Sequence, residues 1–326
     1  MSETGWNLRM ADSMTAASVA HRFYIQGKTK SQIAEESGLS RFKVARILEA
    51  VRKTGLVRVE FELPLPVDLE LSEAVRAAYG LRRALVLNRA ESCGDRPELR
   101  RRIGALAARF LAEFVSPSDV IGLAWARSVN AMADFLPRLP RCPVVQLCGV
   151  QAGMDMRDRS VETVSRVAQA SGGQAYPIYG PLVLPDRRTT EILRQQPGIA
   201  ETFERFRDLT KAVVSIGAWE EGESTVHDAL RPRERELLRQ QGAAAEIAAR
   251  LFDADGNELE TELEHRVLAI AHDQLRAVDE VIALGYTEPK AGAIDAVLRS
   301  GVVTTLVTDA HTADLVLERA AERPLG

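Results

Sequence analysis

From residue 84 onward, short apolar runs recur along the chain, separated by longer stretches in which apolar residues repeat every three or four positions. The short runs fit buried β-strands, and the longer stretches fit helices. Strands that alternate with helices predict a parallel sheet covered on both faces. The predicted strands are 84–87, 119–125, 143–148, 212–217, 266–271, 278–284 and 303–309, and the predicted helices include 97–115, 160–171, 232–250, 289–300 and 310–321.

The first sixty residues show a helical repeat instead, in three short segments. Apolar residues at helical spacing run from Ala16 to Tyr24 and stop at Gly27. Thr29 and Gln32 are spaced as a capping box, which predicts that a second helix begins there. Ser40 is placed to cap a third helix. The apolar stripe of that third helix consists of Val44, Ile47, Leu48 and Val51.

The segment KSQIAEESGLSRFKVARIL, residues 30–48, has the spacing of a helix-turn-helix. Ala34 is small enough for the two helices to cross closely, and Gly38 can adopt the left-handed turn conformation. Leu39 fills the turn, while Val44 and Ile47 hold the recognition helix against the first helix. A plain helical hairpin is the alternative, but the joint spacing and the charge favour DNA binding. The predicted DNA-binding residues are Arg41, Phe42, Lys43 and Arg46 in the major groove, with Lys30 and Ser40 near phosphates.

A domain boundary is expected between residues 60 and 68. The segment 56–63, LVRVEFEL, alternates as a strand does, and the prolines at 64 and 66 follow it. We therefore predict a helix-turn-helix domain over 1–62 and an α/β effector-binding domain with a Rossmann-like parallel sheet over 63–326.

Charge is distributed unevenly along this chain. The net charge is −4, yet the segment 22–58 carries nine Lys or Arg and three Glu. Local positive potential, rather than net charge, attracts phosphates. The asymmetry therefore supports a nucleic-acid contact in this segment, although a solvated basic face would give the same composition.

The composition is that of an ordinary globular protein, with 46% hydrophobic and 27% charged residues. No apolar run is long enough for a membrane span, and the first residues do not resemble a secretory signal. Cys93, Cys142 and Cys148 are too scattered for a disulfide framework or a metal site. We expect a cytoplasmic protein.

The predicted strands end in loops rich in glycine, hydroxyl, indole and charged groups. Ligands of parallel sheets bind at the carboxyl ends of strands, where such loops converge. Indoles, carboxylates and helix N-termini suit the faces, hydroxyls and anionic groups of carbohydrates. A polar small-molecule pocket is therefore expected at this edge. The loops concerned are 123–128, 147–155, 216–224, 285–290 and 308–312.

Signatures of catalysis, cofactors and metals are missing from the sequence. It contains no dinucleotide fingerprint, Walker sequence, nucleophile elbow or H-E-x-x-H motif. Adjacent Glu220 and Glu221 point to opposite sides and make a poor acid/base pair. The segment 252–259, FDADGNEL, fits a hairpin turn better than a calcium loop, because the required acidic positions are incomplete. We expect no enzyme activity, no cofactor and no metal.

The order of these segments resembles the SorC family of sugar-binding transcriptional regulators, also grouped with DeoR-type repressors. The similarity runs from the helix-turn-helix through DVIGLAWARS and GAAAEIAARLFDADGNEL to GYTEPKAGAIDAVLRSGVVTTLVTD. The resemblance implies an effector domain similar to glucosamine-6-phosphate deaminase and ribose-5-phosphate isomerase. It also implies a homodimer or homotetramer on operator DNA, with affinity changed by a sugar, sugar phosphate or polyol. The DNA-binding segment looks closest to that of erythritol-operon regulators.

The same resemblance implies which residues contact the effector. The family loop S-W-G-x-T corresponds to AWARS, a glycine-rich second loop corresponds to residues near 150, and two further positions match a lysine and an aspartate. The implied effector-binding residues are Trp125, Arg127, Ser128, Gly149, Gln151, Gly153, Asp253 and Lys290.

Ala126 stands where the family has a glycine, and the second loop is poorer in glycine. Both departures reduce the access of a phosphate to the backbone, and the loss of glycine at Ala126 favours a neutral or short ligand. Two other functions stay open: a sugar-phosphate isomerase or deaminase with a DNA-binding appendage, and a DNA-binding scaffold that takes no sugar.

Overall fold

The computed structural model describes residues 10–57, 65–151 and 160–322. The chain divides into two compact units, Met1–Leu63 and Pro64–Gly326. Most of the strand predicted over 56–63 lies outside the described residues, as does part of the expected boundary region.

The first unit consists of three helices, α1 (Met10–Tyr24), α2 (Lys30–Ser37) and α3 (Arg41–Lys53). Thr29 and Gln32 form the predicted capping box at the start of α2, and Gly38 ends that helix at φ 65°. The Ser40 side chain accepts a hydrogen bond from the backbone N–H of Lys43, which caps α3. The three helices enclose a small core of Ala16, Val19, Ala20, Ile33, Ala34, Val44, Leu48 and Val51.

Helices and strands alternate in the second unit, as the apolar pattern predicts. Its strands are β1 (Arg83–Leu87), β2 (Ile121–Leu123), β3 (Val144–Gln146), β4 (Ala175–Tyr176), β5 (Lys211–Ala218), β6 (Ala245–Ile247), β7 (Arg250–Phe252), β8 (Glu280–Leu284) and β9 (Thr305–Asp309). Its helices are α4 (Leu69–Tyr79), α5 (Arg96–Phe114), α6 (Arg127–Phe135), α7 (Ser160–Ser171), α8 (Arg187–Arg194), α9 (Pro197–Glu204), α10 (Thr225–Ala229), α11 (Pro232–Gln240), α12 (His272–Arg276), α13 (Ala291–Arg299) and α14 (Ala310–Ala321). Short 3₁₀ turns cover Arg205–Asp208, Glu262–Arg266 and Glu288–Lys290.

Seven strands of the described chain form a parallel sheet in the order β1-β9-β8-β5-β2-β3-β4. Successive residues of a strand face opposite sides of the sheet. Val213 accordingly packs into one hydrophobic core, while Ala212 and Val214 pack into the other. The predicted Rossmann-like sheet, buried on both faces, is confirmed.

An antiparallel hairpin, β6–β7, extends from the sheet. Residues Ala245–Ile247 pair with the end of β5, and β7 pairs with β6. The helix predicted over 232–250 is wrong beyond residue 240: α11 ends near Gly242, whose φ is 100°, and the alanine-rich stretch then pairs with β5. Tertiary pairing overrides the helix propensity of alanine here.

The strand predicted over 266–271 is also wrong. Val267 and Ala269 make only isolated bridges, with Val183 and Cys148. The run is apolar because its side chains are buried in the core, not because it belongs to a ladder.

Candidate functional site

Helix α3, the predicted recognition helix, presents its basic side to solvent and buries the opposite side. Val44, Leu48 and Val51 are buried in the core of the first unit. Phe42 is 84% exposed, so its ring is not needed for packing. An exposed aromatic ring suits contact with a thymine methyl group. The exposed predicted base-reading residues are Arg41, Phe42, Lys43 and Arg46.

Lys30 and Ser40 lie at the beginnings of two helices. Lys30 is the first residue of α2, and the Ser40 Oγ accepts from the Lys43 N–H at 3.2 Å. Both residues are exposed. Helix N-termini favour anions, so these positions suit contacts with DNA phosphates.

A cavity of about 60 Å³ lies in the second unit at the carboxyl ends of β2, β5 and β8. Its wall includes segments 124–128 and 215–217, the residues Glu246, Ala248 and Ala249, residues around α10, and the loop after β8. This volume exceeds several-fold the roughly 10–15 Å³ that one water requires. The sheet edge expected to bind a ligand therefore contains space for a small polar molecule.

The structure brings four of the predicted effector-binding residues together. Trp125, Arg127, Ser128 and Lys290 all line this cavity, although 162 positions separate the last two. Their shared position follows from parallel topology, since the loops after β2 and β8 open at the same edge.

Asp253 does not line the cavity, which corrects the position expected for it. It follows β7 and organises the turn predicted for FDADGNEL. Its carboxylate accepts from the backbone N–H of Asp255 at 2.8 Å and of Asn257 at 2.9 Å. Burial acts to raise the pKa of Asp253, but hydrogen bonds from Asn257 and the turn backbone outweigh it and lower the pKa. These hydrogen bonds within the turn account for an aspartate at position 253.

The second predicted loop contributes little to the cavity wall. Gly149 packs its backbone against Gly180 and Pro181, where an added Cβ would lie 2.8 Å from both carbonyl oxygens. Gln151 is buried but does not line the cavity. Gly153 lies outside the described residues. Position 149 therefore requires a glycine because the neighbouring backbone approaches it closely.

Three residues of the cavity wall each carry a buried polar side-chain atom that has no hydrogen-bond partner among the described residues. The atoms are the Trp125 Nε1, the Ser128 Oγ and the Thr287 Oγ1. A buried polar group left unpaired costs roughly 1–3 kcal/mol. Because the three residues line one cavity, a polar ligand or an ordered water there fits as the source of the missing partners.

The N-terminus of α6 opens into the cavity. Its cap residue, Ala126, offers no side chain to the first-turn N–H groups, and Ala126, Arg127 and Ser128 all line the wall. The uncapped first-turn N–H groups and the helix dipole both favour a negatively charged group.

Lys290 and Glu246 place two perturbed ionisable groups at the same cavity. The Lys290 Nζ donates to the Ile216 carbonyl oxygen at 2.8 Å. Burial lowers the pKa of Lys290 to about 8. Burial also raises the pKa of Glu246, against hydrogen bonds from Ala249 N–H and Ser224 Oγ. The cavity therefore holds a weakened cation beside a carboxyl group with reduced acidity.

Two further arginines line the wall and are held by partners. Arg96 forms an ion pair with Glu223, and the Arg100 Nε donates to the Tyr286 hydroxyl at 3.2 Å. With Arg127 and Lys290, they surround the cavity with cationic groups. An anionic or hydroxyl-rich ligand fits this arrangement.

Backbone strain is also concentrated at this site. The non-glycine residues with positive φ in the described chain are Ala248 (48°), Ala249 (64°) and Thr287 (81°). All three line the cavity. Such conformations cost on the order of 1–3 kcal/mol each and cluster at ligand sites.

Sequence reasoning missed Glu246, Thr287, Arg96 and Arg100 as wall residues. Glu246 fell inside a predicted helix, so its orientation was not foreseen. Thr287 lies in the loop 285–290 that was singled out, and a hydroxyl after a strand was the available signal.

Among the described residues, no group of three or more His, Cys, Asp or Glu side chains is arranged to hold a metal ion. Within the same residues, no helix is both long and apolar enough to cross a membrane.

Comparison with known proteins places the second unit in a family. The family model described as "Putative sugar-binding domain" matches residues 64–318. The transcriptional regulator YjhU of Escherichia coli is 26% identical over 309 residues, covering 93% of each chain. The sorbitol operon regulator of Klebsiella pneumoniae is 24% identical, covering 92% of this chain and 96% of the relative. The erythritol catabolism regulatory protein EryD of Brucella abortus is 24% identical, covering 94% and 97%.

The fold agrees with a solved structure of this kind. The full-length sorbitol operon regulator SorC of Klebsiella pneumoniae superposes with a TM-score of 0.72 at 23% identity, covering 93% of this chain and 98% of that one. The resemblance seen in the sequence is confirmed. Because the family model spans most of the chain, the protein belongs to the sugar-binding domain family of SorC- and DeoR-type transcriptional regulators.

Proposed function

We propose that this chain is a DNA-binding transcriptional regulator of a carbohydrate or polyol catabolic operon, whose operator affinity is controlled by a small ligand in the cavity. The observation that carries the ligand assignment is the set of unpartnered Trp125 Nε1, Ser128 Oγ and Thr287 Oγ1 atoms at one cavity. The exposed basic side of α3 supports the DNA assignment.

The ligand in this proposal is a sugar, sugar phosphate or polyol. An indole offers an apolar face and a donor, while hydroxyls and carboxyls satisfy sugar hydroxyl groups. If the ligand carries phosphate, Arg127, Lys290 and the N-terminus of α6 bind it, and affinity falls with salt. If it is neutral, Trp125 and Glu246 dominate and salt has little effect.

The regulator acts in the cytoplasm as a homodimer or homotetramer. One helix-turn-helix reads only a few base pairs, and two-fold symmetry doubles the contacts with a palindromic operator. Operator contacts come from the exposed side chains of α3, with Lys30 and Ser40 at phosphates.

An isomerase- or deaminase-like enzyme is the second candidate, favoured by one observation. The pKa values of Glu246 and Lys290 are shifted in opposite directions at one cavity, as in an acid/base pair. We nevertheless propose a non-catalytic sensor, because the exposed basic side of α3 suits DNA binding. Turnover of pentose phosphates or hexosamine phosphates by the purified protein would favour the enzyme.

Thermal-shift measurements test the ligand assignment. The panel is sorbitol, erythritol and 2-deoxyribose, each also as its phosphate. We expect at least one compound to raise the unfolding temperature of the wild type, because binding only to the folded state stabilises it. Ser128→Ala should reduce the shift, whereas Ser118→Ala, at an exposed serine of the same unit, should not. No shift with any compound would contradict the assignment.

A further inference from the structure

Thr287 has a backbone conformation that a β-branched residue rarely adopts. Its φ is 81° and its ψ is 141°. Clashes with the Cβ atom make this region accessible chiefly to glycine. A glycine here would form the same turn without strain, so the turn alone does not explain the threonine.

Neighbouring groups hold the strained residue from both sides. The Thr287 N–H donates to the Asp309 Oδ2 at 3.2 Å, and the Thr287 carbonyl accepts from the Lys290 N–H at 3.0 Å. Asp309 is buried and caps α14, because its Oδ1 accepts a hydrogen bond from the Thr312 N–H at 3.0 Å. A strained conformation persists only when it is held in this way.

The threonine adds a hydroxyl group that glycine lacks. Thr287 lines the cavity, and its Oγ1 is buried and has no hydrogen-bond partner among the described residues. Ala248 and Ala249 are also strained at this cavity, but they carry no polar side chain. Strain and an unpartnered polar side-chain atom therefore coincide in the described chain at Thr287.

We infer that Thr287 is a specificity-determining residue, whose hydroxyl forms a hydrogen bond with an oxygen of the ligand and whose strained backbone is retained because it places that hydroxyl in the cavity. The inference rests on the proposed function, since it requires a hydroxyl- or carbonyl-bearing ligand in this cavity. It predicts that fold stability and ligand affinity respond oppositely to relief of the strain.

Three substitutions separate strain from hydrogen bonding. Thr287→Gly removes both the strain and the hydroxyl. Thr287→Val keeps the branched shape and removes only the hydroxyl, and Thr287→Ser keeps the hydroxyl. Urea unfolding measures stability without ligand, and calorimetry measures binding of sorbitol, erythritol, 2-deoxyribose and their phosphates.

Thr287→Gly should lower the unfolding equilibrium constant about fivefold or more, after allowance for the greater freedom of glycine in the unfolded chain. Thr287→Val should show a smaller change in stability, because its backbone stays strained. Both variants should bind the compound that the wild type binds about 2- to 10-fold more weakly, the effect of one lost hydrogen bond. Thr287→Ser should bind it as the wild type does.

Unchanged affinity in Thr287→Val, with binding intact in the wild type, would overturn the role of the hydroxyl. A Thr287→Gly variant no more stable than the wild type would contradict the claim that the backbone of Thr287 is strained. If the wild type binds none of the six compounds, the proposed ligand control and the role of the hydroxyl both fail. The stability of Thr287→Gly relative to the wild type still shows whether the backbone of Thr287 is strained.

Discussion

Replacing Lys290 with methionine should stabilise the folded protein at neutral pH while impairing its cavity. Methionine keeps an unbranched side chain of similar length without the charge. Lys290 is partly buried, and burial lowers its pKa from 10.5 to about 8. The folded state therefore binds this proton more weakly than the unfolded chain does, so the charge destabilises the fold.

The magnitude follows from the difference in pKa. A difference of about 2.5 units corresponds to roughly 3 kcal/mol below pH 8, where the lysine is charged in both states. Between pH 8 and 10.5 the folded state releases its proton first, so wild-type stability rises with pH. At pH 9.5 the cost falls to about 1 kcal/mol. Loss of the hydrogen bond to the Ile216 carbonyl, worth about 1 kcal/mol, offsets part of the gain from methionine.

Urea unfolding measures the free energy of unfolding of the wild type and of Lys290→Met at pH 7 and pH 9.5. We expect the variant to be more stable by about 2 kcal/mol at pH 7, and the advantage to disappear by pH 9.5. Arg233→Met removes an equal charge from an exposed position of the same unit and should show no such dependence on pH. Titrating groups distant from Lys290 cancel in the difference between variant and wild type.

A Lys290→Met variant less stable than the wild type at pH 7 would show that the buried charge of Lys290 does not destabilise the fold. So would an advantage that stays equal at both pH values, since the effect would then come from packing rather than from proton binding.

Three other outcomes are expected. Replacing Arg41, Lys43 and Arg46 together with alanine should abolish sequence-selective DNA binding in a gel-shift assay while the protein stays folded, since all three side chains are exposed. The single Arg46→Ala variant should lose about 1–3 kcal/mol of binding free energy. Asp253→Ala should leave calorimetric ligand affinity unchanged but lower stability by about 1–2 kcal/mol, because its carboxylate organises a turn. Light scattering at micromolar concentration should give at least a dimer, and a stable monomer that footprints a full palindrome would count against the symmetry argument.

Most of the fold could be predicted from patterns among residues that are close in the sequence. The capping box at Thr29, the left-handed Gly38 and the buried stripe of α3 depend on neighbours in sequence, and the structure contains all three. Buried parallel strands were recognisable because they are short, apolar and bounded by turns. The β6–β7 hairpin was not, because its alanines favour helix and only pairing with β5 makes them strands.

The candidate site was predictable as far as topology determines it. Trp125, Ser128 and Lys290 share a cavity because parallel strands open at one edge. Glu246 could not be placed, because it reaches the cavity from the antiparallel hairpin. Asp253 was assigned by correspondence with a family motif, and that correspondence does not report the distance between a turn and the cavity.

The most direct test of the proposed ligand control is whether a ligand that binds in the cavity changes the affinity of the protein for DNA. A DNA fragment selected from a random pool by the full chain can be labelled and titrated, with fluorescence anisotropy as the readout. Saturating amounts of the compound with the largest thermal shift are present or absent. We expect the compound to change the DNA Kd by about 5- to 150-fold in the wild type, the usual range of coupling between sites, and much less in Ser128→Ala at the same concentration. Equal Kd values in the wild type with and without a compound that demonstrably binds would contradict the proposed ligand control.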